Sequence, residues 1–275
     1  MATKKNLISE ATFLKWIKEG RGSGQNEEYR PWLTVRDLPS LGRVHRVFGH
    51  KSRRTHHLLS DLELSVFLLL EWLPDVTQVR EQFPLDRTLT KQLAADAGIK
   101  HPAQNGFDHF MSSDFLVDSS NEETPRLVFQ AKYASALDDE RTVEKLELER
   151  RYWMEKGVPW YLITDHQIPK EVSKNVNWLY PASRSEEDDE LASEQIEFYQ
   201  HQFTQNPNQT IISLCKKLDT SYGLNAGESL YEIRRLLAKR YFEFDIFTPI
   251  TKLKVGALRA SDLSFIKEAY RVSNQ

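Results

Sequence analysis

Four polar side chains stand out against an otherwise apolar framework: Glu63, Asp114, Gln130 and Lys132. Two carboxylates and an amide oxygen, with a backbone carbonyl, are the hard oxygen donors that Mg²⁺ takes. A cation held this way neutralises the charge that builds on a phosphodiester under attack and lowers the pKa of a bound water. A nearby lysine can orient or deprotonate that water, or stabilise the developing charge. Gln130 and Lys132 lie two apart in Leu127-Val128-Phe129-Gln130-Ala131-Lys132-Tyr133, a run that reads as a strand, so alternation puts both on one face. Each residue also has a plainer reading. Ser60-Asp61-Leu62-Glu63 fits a capping box, Asp114 fits the end of a turn, and Lys132 fits a charge that protects an edge strand.

The elements that must position these groups can be read along the chain. Ser9 to Glu19 predicts a short amphipathic helix, and Gly20-Arg21-Gly22-Ser23-Gly24 a flexible linker, since no strand precedes it as a phosphate loop requires. Residues 43 to 57 predict a hairpin or extended loop. Ser60 to Trp72 predicts a deeply buried helix, apolar on most sides and carrying Glu63 at its start. Strands are predicted over Val76 to Phe83, Asp114 to Asp118, Leu127 to Tyr133 and Trp160 to Thr164. A short helix is predicted over Lys91 to Gly98. Asp139 to Lys156 predicts a strong helix stopped by Gly157, with Val143, Leu146 and Trp153 on its apolar stripe. This order gives an α/β domain with a mixed sheet between helices, over residues 1–167. Residues 168–275 predict a second, mostly helical domain. Its helix, Gly223 turn, helix and alternating Tyr241 to Phe247 strand suggest a winged-helix-like module for a protein partner or DNA. The acidic run Glu186 to Glu190 reads as a solvated loop or helix start.

Bulk composition narrows the classes. With 275 residues and 40% hydrophobic content, the chain can bury a sizeable core. A net charge of −3 gives no global basic footprint for gripping nucleic acid unaided. The single cysteine, Cys215, excludes an internal disulfide and a thiolate zinc cluster. No apolar leader follows the start and no run approaches membrane-spanning length, so a cytoplasmic protein without membrane contact is expected. The segment Arg43, Arg46, Lys51, Arg53 and Arg54, uninterrupted by acids, could track phosphates beside a scissile bond. Its four histidines, His45, His50, His56 and His57, fit no standard zinc spacing.

Asp114, a strand connection and then Gln130-Ala131-Lys132 resemble the PD-(D/E)xK nucleases of restriction-endonuclease-like fold. Gln130 stands where that superfamily usually has an acid, and Glu63 on the core helix can supply the missing charge. In this the chain resembles the TnsA family, endonuclease subunits of heteromeric Tns-type transposases. The segments Pro31-Trp32-Leu33-Thr34-Val35, His56 to Glu63, Arg80-Glu81-Gln82-Phe83-Pro84-Leu85 and Ser113 to Asp118 strengthen the likeness. The resemblance implies Glu63 and Asp114 as metal-binding catalytic acids and Lys132 as the catalytic lysine. It implies Gln130 and the carbonyl of Ala131 as completing the shell of one or two Mg²⁺ ions, with Mn²⁺ as a substitute. It further implies cutting of the 5′-end strand at transposon termini, beside a TnsB-like subunit that cuts the other strand and a TnsC-like ATP-dependent regulator. Glu149 shares a stripe with Leu146 and Trp153 and so points toward the sheet. There it could bind a second metal or pair with Lys132, or else form a salt bridge with Arg150 or Lys145. Two rival readings are a stand-alone nuclease and a non-catalytic adaptor.

Overall fold

Two strands in the first half of the chain, Val76–Pro84 and Ser112–Ser119, are buried along most of their length, and a third, Arg126–Ala131, along half of it, which is the pattern of strands covered on both faces. The computed structural model in which they are seen describes residues 9–37, 42–104, 106–184 and 189–261. The chain divides into two compact units, Met1–Ile168 and Pro169–Gln275. The first runs α1 (Glu10–Lys18), β1 (His45–Gly49), β2 (Arg54–Leu58), α2 (Asp61–Trp72), β3 (Val76–Pro84), α3 (Arg87–Asp96), β4 (Ala103–Gln104), β5 (Phe107–Asp108), β6 (Ser112–Ser119), β7 (Arg126–Ala131), α4 (Glu140–Glu155) and β8 (Trp160–Ile163).

The main sheet has the order β3-β6-β7-β8. β3 and β7 flank β6 antiparallel, while β8 joins β7 in parallel after the chain crosses over through α4. A mixed sheet flanked by helices is the result. Leu116 and Val128 face α4, where they pack with Leu85, Tyr152 and Trp153. α2 lies against β3 and β7, and its Phe67 is fully buried. Asp139 caps α4 by accepting from the Thr142 backbone at 2.9 Å, and Ser60 caps α2 by accepting from Glu63 N at 3.0 Å.

Several expectations change. Gly20 to Gly24 is a packed turn rather than a flexible linker. Gly22 N donates to Arg30 O, and a Cβ at Gly22, whose φ is +79°, would sit 2.1 Å from a ring carbon of Pro84. The segment 43 to 57 keeps the first of its two expected forms, a hairpin in which β1 pairs with β2. Val143 is 45% exposed, and the buried stripe of α4 is Leu146, Leu148, Glu149, Tyr152 and Trp153.

The second unit runs α5 (Lys170–Leu179), α6 (Asp189–Gln205), α7 (Ile211–Tyr222), α8 (Glu228–Ala238), β9 (Phe242–Glu243) and β10 (Arg259–Ala260). α7 ends at Gly223 in the left-handed region. Asp219 then accepts from the backbone N–H groups of Gly227 and Ser229, fixing the turn into α8. The predicted Tyr241 to Phe247 strand shrinks to the two residues of β9, which pair with β10. Beyond it the chain bends, because the Asn175 side chain takes the carbonyls of Ile246 and Thr248, each at 2.8 Å. The acidic run Glu186 to Glu190 lies, as far as its side chains go, outside the described residues.

Candidate active site

The β6–β7 ladder ends at the pair Phe115 and Phe129, and the two strands splay beyond it. Side chains replace the missing ladder bonds. Asp114 N donates to Gln130 Oε1 at 2.9 Å, and Ala131 N donates to Asp114 Oδ2 at 2.9 Å. A splayed strand pair thereby presents Asp114 in a buried position with one oxygen fixed and the other turned elsewhere. Lys132 falls one residue past the end of β7, not within it, and its backbone N–H donates to Ile163 O.

Glu63 comes to the same place from the first turn of α2. Its side chain reaches back to the helix start, but to Leu59 N, which donates to Oε2 at 2.9 Å, rather than to the Ser60 N–H of a capping box; Ser60 Oγ donates to Oε1. These bonds at the helix start also aim the carboxylate. One further group joins the two acids. Gln82 Nε2 donates to Glu63 Oε2 and to Asp114 Oδ1, at 3.3 Å each. Both carboxylates, one from a helix and one from a strand, therefore lie beside a single nitrogen.

The electrostatics of this pair are unfavourable without a cation. Glu63 is pushed up to about 8, by burial first and then by the neighbouring Asp114 charge. Lys132 is raised above the ordinary amine range, chiefly by Asp114, with Glu149 and Glu63 adding to it. Glu149 does point at the sheet but forms no salt bridge with Arg150, which pairs with Glu147 at 2.7 Å. Instead Glu149 Oε1 accepts from Ser113 Oγ at 2.6 Å and from Trp160 Nε1 at 2.9 Å. Burial pushes Glu149 up to about 8. Gln130, Lys132 and Glu149 line a cavity of about 400 Å³ together with His109 and Lys145.

The basic segment divides. Arg43 is exposed and pairs with Asp61, Arg53 is exposed and pairs with Glu27, and Arg46 is exposed on β1. Arg54 is buried: it forks onto the Glu81 carboxylate, with 2.8 Å between Nη1 and Oε1, and onto Val79 O. The Lys51 amine is directed at the carbonyls of Leu73 and Val76, beyond the C-terminus of α2. These two cations serve the fold and are not presented to a phosphate. Of the histidines, His45 meets Asp61, and His56 is fully buried 2.8 Å from Glu81. Among the described residues no three His, Cys, Asp or Glu side chains gather as a metal cluster.

Sequence reasoning missed Gln82. It sits in a strand at φ +48°, a backbone conformation that no periodicity reveals. The available signal was a polar residue inside a buried strand, directly before Phe83-Pro84.

Residues 73–165 match the family described as TnsA-like endonuclease N terminal, and residues 167–246 match TnsA endonuclease C terminal. The chain is 45% identical over 274 residues, covering the full length of both proteins, to the transposon Tn7 transposition protein TnsA of Escherichia coli. With both family descriptions matched in order and a relative aligned from end to end, the chain belongs to the TnsA family of transposition endonucleases.

Proposed function

We propose that the chain is the Mg²⁺-dependent DNA endonuclease subunit of a cut-and-paste transposase, hydrolysing the 5′-end strand at transposon termini. The observation that carries this reading is the convergence of Glu63 and Asp114 on one nitrogen, 3.3 Å from each. The donor set suits the ion. Two carboxylates, the Gln130 amide oxygen and the Ala131 carbonyl match a cation that takes few protein ligands and keeps several waters. They do not match the nitrogen and sulfur donors of a zinc site. When bound, Mg²⁺ supplies charge neutralisation and a more acidic water.

The chain's own residues do the rest. Glu63 and Asp114 hold the ion, each already fixed by backbone N–H donors from Leu59 and Ala131. Gln130 braces Asp114 through the latter's N–H and keeps a second lone pair for the ion. Lys132, charged and set among three acids, orients the attacking water or stabilises the phosphorane oxygens. Glu149 faces the cavity that Gln130 and Lys132 also line, and serves as an outer acid, or as a ligand to a second ion. Arg43, Arg46 and Arg53 contact phosphates of the transposon-end DNA.

In the second unit, the α7, left-handed Gly223, α8 and short-ladder arrangement supports a winged-helix-like module that docks a TnsC-like regulator. A TnsB-like subunit cuts the complementary strand. Reconstitution with these partners and transposon-end DNA tests the reading. Asp114→Ala is expected to abolish 5′-strand cutting while complex assembly persists, and normal cutting by that variant would refute the assignment. Cleavage of DNA by the purified chain alone would favour a stand-alone nuclease instead.

A further inference from the structure

We infer that Gln82 is a positioning residue for the cation site, holding the Glu63 and Asp114 carboxylates in one arrangement through a single amide. The inference rests on the reading of those two acids as cation ligands. Gln82 is buried to 2% exposure, and its Nε2 is the only group described that donates to both acids, at 3.3 Å each. The amide is itself oriented. Ser112 Oγ donates to Gln82 Oε1 at 3.2 Å, which leaves the NH₂ end facing the carboxylates. The Gln82 carbonyl accepts from Trp32 N at 3.1 Å, fixing the backbone as well.

That backbone is in the left-handed region, at φ +48°, a conformation that a non-glycine residue adopts only at a cost. The geometry explains what the conformation achieves. Glu81 lies opposite Phe115, on the face of the sheet away from Leu116. Phe83 packs into the Leu116 and Trp153 cluster on the other face. Strict alternation would put Glu81 and Phe83 on the same face, so the turn at Gln82 breaks the alternation and aims its amide at the acids. Each carboxylate keeps further lone pairs beyond the one that meets the amide, so this donor and a cation can be accommodated together. Hydrogen bonds onto metal ligands of this kind typically change metal affinity 10- to 100-fold.

The test is calorimetric titration of the full-length chain with Mn²⁺, alongside thermal unfolding with and without the ion. Gln82→Met keeps the volume and removes the donor. Its Mn²⁺ dissociation constant is expected to rise by about 10- to 100-fold, and strand cutting in the reconstituted reaction is expected to recover at saturating Mn²⁺. Ser112→Ala leaves the amide in place and removes only its orienting hydroxyl, so it should shift affinity in the same direction by a smaller factor. Lower thermal stability with Mn²⁺ affinity unchanged in both variants would make Gln82 a packing residue and overturn the inference. Tighter binding in Gln82→Met would also overturn it, because the amide would then oppose the ion. Failure of the wild-type chain to bind Mn²⁺ would instead remove the cation reading itself, and this inference with it.

Discussion

Glu81 and Glu63 are both buried acids in the first unit, and their surroundings differ in one decisive respect. Glu81 is matched from within the chain: Arg54 forks onto it, His56 lies 2.8 Å away, and His57 N donates to it at 3.1 Å. These partners outweigh a full desolvation penalty and hold its carboxyl well below the ordinary carboxylate range. Glu63 has backbone and amide donors but shares its space with a second acid, Asp114, and is driven upward. A carboxylate that completes the fold brings its own cations, whereas Glu63, Asp114 and Glu149 share the single charge of Lys132. An ion bound as proposed above would make up that shortfall.

The same substitution at the two acids should therefore act in opposite ways. Glu63→Gln should reduce strand cutting in the reconstituted reaction by about 10³-fold or more, on the scale of losing a principal charge-stabilising group. It should leave the fold intact by circular dichroism. Glu81→Gln leaves Arg54 buried without its counter-charge and should lower unfolding free energy by about 3–5 kcal/mol in urea titrations. Its Mn²⁺ affinity should be unchanged once folded. Equal effects at the two positions, on either readout, would erase the distinction between them.

The pH dependence of stability sharpens the contrast. Glu63 and Glu149 have folded values near 8, against an ordinary 4.5. Between those limits the folded protein keeps protons that the unfolded chain has lost, so stability falls as pH rises through this window. Glu81 has the opposite sign: its contribution is present above 4.5 and is lost as pH falls into the acid range. The metal-free protein should thus lose melting temperature from pH 5 to pH 8, and Mg²⁺ should restore more of it at pH 8 than at pH 6. A Mg²⁺ effect independent of pH would argue against ionised Glu63 as its ligand. The smallest effect belongs to the surface. Arg150→Ala removes an exposed pair with Glu147 and should change stability by less than about 1 kcal/mol in the same titrations.

How far the sequence foretold this depended on the range of the interactions involved. The places of Glu63, Asp114 and Gln130 were legible because each lies on an element with a strong local pattern, a capped apolar helix or a short apolar strand, whereas Lys132 falls one residue beyond the strand that was expected to carry it. The strands splay only where the β6–β7 ladder ends, so the bonds that fix Asp114 depend on pairing that local pattern does not encode. Arg54 looked like a phosphate contact because its neighbours are basic, and its partner Glu81 lies 27 residues further on. Inward alternation of Arg54, His56 and Leu58 on β2 was a readable hint of that burial. Gly22 read as linker because its restraint comes from Pro84, distant in sequence. Tyr241 to Phe247 alternates convincingly, yet a strand needs a partner, and Asn175 claims the carbonyls that a neighbouring strand would have used. Gln82 combined both difficulties, a left-handed backbone and partners on two other elements.

The central claim is that the helix acid and the strand acid serve one ion. Anomalous diffraction from crystals of the full chain soaked in Mn²⁺ tests it directly. The account predicts a peak bonded to a carboxylate oxygen of Glu63 and one of Asp114 at about 2.0–2.3 Å, and no such peak in crystals of Asp114→Ala. Peaks confined to surface carboxylates, with the Glu63–Asp114 pair empty at saturating Mn²⁺, would contradict it.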